Sequence, residues 1–192
     1  MYKLCKTEQS ASRQRALEEG LLAAISVRRY DELSVSDLCA QMEIPRKSFY
    51  RYFSSKEGAL HALLDHTLMD FEGYHVPEKG ENRTLHRDVS HFFEFWLGKR
   101  ALLDALERNG LSSLLIERSI AYALSGTAMP RRFLPHDDPI TQTQVVIFTV
   151  CGLMSLMINW HRSGFQTPIP KMADVAVRVL CQPLFSNVAE LI

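Results

Sequence analysis

The sequence predicts an all-α protein, and three observations carry that expectation. Apolar residues recur at helical spacing over most of the chain, turn residues cut it into helix-length segments, and no run of alternating β-branched residues marks a strand. About nine helices are expected. After a polar arm over about residues 1–10, Ala16, Leu17, Leu21, Leu22, Ala24, Ile25 and Tyr30 form the first apolar stripe. Ser34 and Ser36 are candidate N-caps for a short helix holding Leu38, Cys39 and Met42. Glu43-Ile44-Pro45 then makes a brief turn, with the proline suited to the first position of a helix over 46–52. Ser54 or Ser55 opens a longer helix through Leu60, Leu64, Leu68 and Phe71.

A connector follows over 73–83, after which Thr84 caps a helix reaching about residue 97. The next helix spans about 99–108 and stops at Asn109-Gly110; another covers 111–124. A loop over 126–138 leads into a long apolar helix at 140–163, ended by Gly164, and a last helix runs over about 171–187. The apolar stretch from Val145 to Ile158 falls short of the roughly 20 residues of a membrane span, so it reads as a buried helix. The N-terminus, with Lys3, Lys6 and Glu8, lacks the apolar run of a signal peptide.

Composition limits the partners. The formal net charge is zero, so attraction to nucleic acid must be local. Residues 1–56 carry ten Lys+Arg against seven Asp+Glu, and the stretch from Arg46 to Lys56 has four basic residues and no acid. Cys5, Cys39, Cys151 and Cys181 are far apart and form no C-x-x-C pair, so they read as small apolar side chains of a reducing cytosol. His61 and His66, and likewise His86 and His91, are five apart and diverge on a helix, so no metal site and no cofactor is expected. No Gly-rich phosphate loop, Gly-x-Ser-x-Gly elbow or His-Glu-x-x-His is present, which argues against an enzyme.

Two short helices at the end of the basic N-terminal third suggest a helix-turn-helix. Val35, Leu38, Cys39, Ile44, Phe49 and Phe53 supply its inward face, leaving Arg46, Lys47, Ser48, Tyr50 and Tyr52 outward. Arg46 or Lys47 has the donors to reach guanine N7 and O6 in a major groove. Ser34, Tyr50, Tyr52 and Lys56, with Ser36 beside them, are of the type that hold phosphates.

At these residues the chain resembles the TetR family of regulators. The resemblance lies in Ser34 to Cys39 and Ile44 to Glu57, above all in Phe49-Tyr50-Arg51-Tyr52-Phe53 followed by Lys56-Glu57. It covers about residues 10–60; Ile158 to His161 with Gly164-Phe165 is a looser match to C-terminal domains of some members. The resemblance implies a three-helix DNA-binding head (residues 1–55) and a helical body (56–192), with the fourth helix between them. It gives Ser34, Tyr50, Tyr52 and Lys56 phosphate contacts, and Arg46, Lys47 and Ser48 base reading. It further implies a cytoplasmic homodimer on a pseudo-palindromic operator in double-stranded DNA, acting as a repressor released by an unknown small-molecule effector that tilts the fourth helix. The chain departs from the family at Glu43, where glycine is usual in the turn, at Pro45 and Lys47, and at Arg29 before Tyr30.

In the body, Phe92, Phe93, Trp96, Tyr122, Met154 and Trp160 are expected to line an effector pocket, although each also suits ordinary core packing. Val145, Phe148, Gly152, Ser155, Val179 and Leu184 are expected at the dimer interface. No membrane partner is expected. The competing reading is a helical protein-interaction adaptor, whose basic head binds an acidic partner rather than a specific duplex.

Overall fold

Local capping sets most of the helix starts. The computed structural model describes residues 1–74, 84–125 and 138–181; among them are nine helices and no strand, with one antiparallel bridge between Tyr2 and Phe53. The Thr7 hydroxyl accepts the Ser10 N–H to begin α1 (Glu8–Val27). Ser34 and Asp37 form a reciprocal capping box at α2 (Val35–Gln41). Then come α3 (Arg46–Tyr50) and α4 (Lys56–Tyr74), where the Ser55 hydroxyl accepts the Gly58 N–H at 3.2 Å. Thr84 caps α5 (Leu85–Gly98) as expected. The helix α6 (Arg100–Arg108) is closed by Gly110 at φ 68, with the Leu111 N–H returning to the Leu106 carbonyl at 2.8 Å. After α7 (Ser112–Leu124), the Asp138 carboxylate caps α8 (Pro139–Arg162), and Gly164 at φ 75 turns the chain toward α9 (Ile169–Cys181).

One apolar core runs from Leu17 in α1 to Ala176 in α9. Inside it α1 packs on α4 and α6, α4 on α7, α7 on α8, and α5 on α9. The head therefore rests on the body through α1 and α4. Leu21, Ile25, Leu38, Phe49, Phe53 and Leu60 are all but inaccessible and lock the first four helices together.

Three expectations about local structure are corrected. Pro45 is the N-cap of α3 rather than its first helical residue, with φ −65 and ψ 141. The recognition helix ends at Tyr50 rather than Tyr52; the chain still turns through residues 51–53, whose N–H groups return to Lys47 and Phe49, before Phe53 bridges to Tyr2. The apolar segment 145–158 is not a buried helix within one chain. It belongs to a 24-residue α8 that buries Val146, Met154, Met157, Ile158 and Trp160 but leaves Phe148 63% exposed. That α8 is also the one described helix long and apolar enough to cross a membrane, so its length does not fall short. Its last turn is tied to α6 instead, by His161 to Asp104 at 2.7 Å and Arg162 to Glu107 at 2.9 Å. The tail of the last expected helix, with Leu184, lies outside the described residues, as do 75–83 and 126–137 of the two expected connectors.

Candidate nucleic-acid interface

The turn between α2 and α3 is built on Glu43, which takes φ 52. The Glu43 N–H returns to Ala40 and the Ile44 N–H to Cys39 at 2.9 Å, closing α2 in the way a glycine would. A side chain in this left-handed region costs roughly 1 kcal/mol, which the surrounding core absorbs: Phe49 from α3 and Leu38 and Cys39 from α2 are buried against each other on the inner side.

On the outer side of α3, Arg46, Lys47 and Tyr50 are exposed and Ser48 is half-buried. The Arg46 guanidinium lies 5.8 Å from the Tyr50 ring centre and donates to its hydroxyl at 3.4 Å. Ser34 and Ser36 are exposed at the start of α2. The Ser34 hydroxyl accepts the Asp37 N–H at 3.1 Å and donates to the Asp37 carboxylate at 2.5 Å, which holds that carboxyl below its ordinary pKa.

Two of the expected outward residues turn inward. Tyr52 is only 7% exposed, packed beside Phe53 where the chain meets the N-terminal arm. Lys56 directs its ammonium to the carbonyls of Tyr30 and Leu33, at 2.6 and 2.7 Å, over the Tyr30 ring at 4.2 Å. It thus fastens the α1–α2 loop to α4, with a further N–H donor left over. The arm was not anticipated as a structural part. The Ser54 N–H and hydroxyl both donate to the Met1 carbonyl, the Lys3 N–H donates to Tyr52 at 3.0 Å, and the Tyr2 hydroxyl donates to Asp65 at 2.9 Å. Burial, then that bond to Asp65, pushes the Tyr2 hydroxyl up to about 12.

Beneath the interface, Asp65 of α4 receives a two-pronged ion pair from Arg118 of α7, at 2.7 and 2.5 Å. The carboxylate of Glu18, 1% exposed in α1, meets His66 Nδ1 at 2.8 Å. His86 and His161 likewise face Asp174 and Asp104, at 3.1 and 2.7 Å.

In the body, Phe92, Phe93, Trp96, Met154 and Trp160 are all buried, with Phe92 packed on Phe93 and Trp96 and Phe93 on Trp160. Tyr122 stands apart on α7, half-buried, donating to Glu72 of α4. The Trp160 indole donates to the Thr167 carbonyl at 2.8 Å, whereas the buried Trp96 Nε1–H meets no acceptor among the described residues. Phe148, Gly152, Ser155 and Val179 line an outward apolar groove between α8 and α9; Val145 is half-buried on the same helix. Among the described residues no group of three metal-ligating side chains forms, and all four cysteines are free thiols.

Residues 21–63 match the family model of bacterial regulatory proteins of the tetR family. Residues 21–63, which hold α2, α3 and the start of α4, are thus similar to the DNA-binding part of that family. This match supports a DNA-binding transcriptional regulator. Solved structures share the fold over most of the chain. A tetR-family transcriptional regulator from Streptomyces coelicolor is 20% identical, with 88% of this chain and 79% of that one covered at a TM-score of 0.54. The fatty acid degradation regulator FadR from Bacillus halodurans is 13% identical, covering 94% and 98% at 0.59. The dihydroxyacetone kinase operon activator DhaS is 11% identical, covering 88% and 93% at 0.55. No curated protein matches the sequence.

Proposed function

We propose that the protein is a cytoplasmic, dimeric repressor that reads a pseudo-palindromic operator with residues 1–55 and is released by a small molecule held within residues 56–192. The observation that carries the reading is the exposed basic face of α3, with Arg46, Lys47 and Tyr50 side by side on a TetR-type head. Arg46 and Lys47 read bases with Ser48; Ser34, Ser36 and Tyr50 hold phosphates. Tyr52 offers at most its hydroxyl, and Lys56 its remaining N–H, to the backbone.

The dimer is supported by the apolar groove of α8 and α9, a surface that a second copy would cover and that water solvates poorly. Two heads then meet half-sites one helical turn or a multiple apart. The effector reading is supported by the Trp96 indole, a buried donor among aromatic rings that meets no acceptor among the described residues. Such a group costs about 1–3 kcal/mol when unpaired, so an apolar effector carrying a hydrogen-bond acceptor fits it. Repression needs only occupation of the operator, whereas activation needs a further surface for the polymerase.

Salt-titrated binding to duplex and single-stranded DNA tests the reading. Duplex affinity should fall steeply with salt, by about 0.9 in log–log slope for each phosphate neutralised. A slope near zero, or equal affinity for both forms of DNA, contradicts it and favours a protein-binding adaptor.

A further inference from the structure

The turn Asn109-Gly110 ends α6 because glycine accepts a positive φ there; the asparagine before it has a second task. Asn109 stands at the C-cap with φ −98 and ψ 2, and its carboxamide reaches out of the body into the head. Its Oδ1 accepts the Tyr30 N–H at 2.6 Å; its Nδ2 donates to the Ile25 carbonyl at 3.0 Å and to Ala105 of its own helix at 2.7 Å. Ile25 lies in the last turn of α1, where carbonyls lack helical partners, and Tyr30 lies in the loop that follows. One side chain therefore binds the end of α1, the α1–α2 loop and the end of α6.

The same loop is gripped from the other side. Lys56, at the start of α4, donates to the carbonyls of Tyr30 and Leu33, so the Tyr30 peptide is held at its N–H by the body and at its carbonyl by α4. Four residues later Ser34 starts α2, and α2 carries α3 through the tight Glu43 turn. The orientation of the reading helix thus follows from where Asn109 places this loop.

We propose that Asn109 is a positioning residue for DNA reading: a body side chain that fixes the α1–α2 loop and, through it, the angle at which α3 meets the groove. The inference rests on the DNA-binding reading above. It also places the route between body and head at α6 and α1, beside the fourth helix.

The test uses the full chain and two duplexes, the preferred sequence selected from a random pool and a scrambled one of equal length. A residue that only stabilises the fold lowers the active fraction equally for both. Asn109→Ala should instead lower the preferred-to-scrambled affinity ratio by about tenfold, equal to about 1.4 kcal/mol, with an unchanged salt slope. The Tyr30 amide, which loses its acceptor, should exchange with solvent at least about tenfold faster. Asn109→Asp, which keeps an acceptor for Tyr30 but no donor for Ile25, should lose part of the ratio, and it decides the matter should the alanine variant not fold. A wild-type ratio in either folded variant overturns the proposal. Absence of any duplex preference in the unaltered protein overturns the DNA-binding reading itself, and the two failures are seen in different samples.

Discussion

Gly58→Ala tests how the head is held together. A Cβ at Gly58 would lie 2.5 Å from the carbonyl oxygen of Met1, a backbone atom that cannot swing aside as a side-chain tip would. The arm must lift. Lifting it breaks three hydrogen bonds, from the Ser54 N–H and hydroxyl to Met1 and from Lys3 to Tyr52. At about 1 kcal/mol net for each bond the loss is about 3 kcal/mol. Replacing glycine by alanine inside a helix returns about 1 kcal/mol, so the variant should be about 2 kcal/mol less stable. Gly73 lies in the same helix with nothing within 4 Å of its would-be Cβ, so Gly73→Ala should be neutral or slightly stabilising. Urea unfolding followed by circular dichroism reads both. Gly58→Ala at or above wild-type stability would refute the seating of the arm on α4.

Other consequences follow from the body and its junction with the head. Phe148→Asp places a charge on the exposed groove of α8, where the single chain has little packing to lose, so it should leave the helical spectrum intact and yield monomers in sedimentation; a stable dimer would place the interface elsewhere. In the Asp65–Arg118 pair the acid is the more buried partner, at 8% against 30% side-chain exposure. Arg118→Met, which strands that acid, should cost about 3 kcal/mol, and Asp65→Asn, which leaves a half-exposed guanidinium, about half as much; the reverse order in urea unfolding contradicts the assignment. Burial, then the charge of Arg118, holds the His61 imidazole below its ordinary pKa of 6.5. The unfolded chain therefore takes up the proton first, and this contribution is complete above 6.5 and lost as pH falls through the depressed folded-state value. His61→Gln should shrink the drop in Tm between about pH 7.5 and about pH 5.5; an unchanged drop would assign the acid sensitivity to other groups.

Signals within a few residues were legible in the sequence. Ser34 and Thr84 cap, Asn109-Gly110 and Gly164 stop helices, and Phe49 and Phe53 point inward. What the sequence did not show depends on residues far apart in the chain. Tyr52 and Lys56 looked outward by local spacing, but one lies under the arm and the other grips the α1–α2 loop. Tyr2 and Gly58 carried no periodic signal, because their meaning comes from a contact between residue 1 and residue 58. The apolar content of α8 fits both a buried helix and a dimer interface in the sequence, because hydrophobicity specifies only that a surface be covered, by the same chain or by a second copy. Asn109 was read as a helix stop, and nothing local could reveal a partner 79 residues away.

The central claim, sequence-specific binding of double-stranded DNA through α3, is tested most directly by selecting duplexes from a random pool with the full protein and with Arg46→Ala. An enriched inverted repeat, whose preference relaxes at one position of each half-site by about 1–3 kcal/mol in the variant, is the expected result. No enrichment at low salt, or the same repeat read equally well without Arg46, would contradict it.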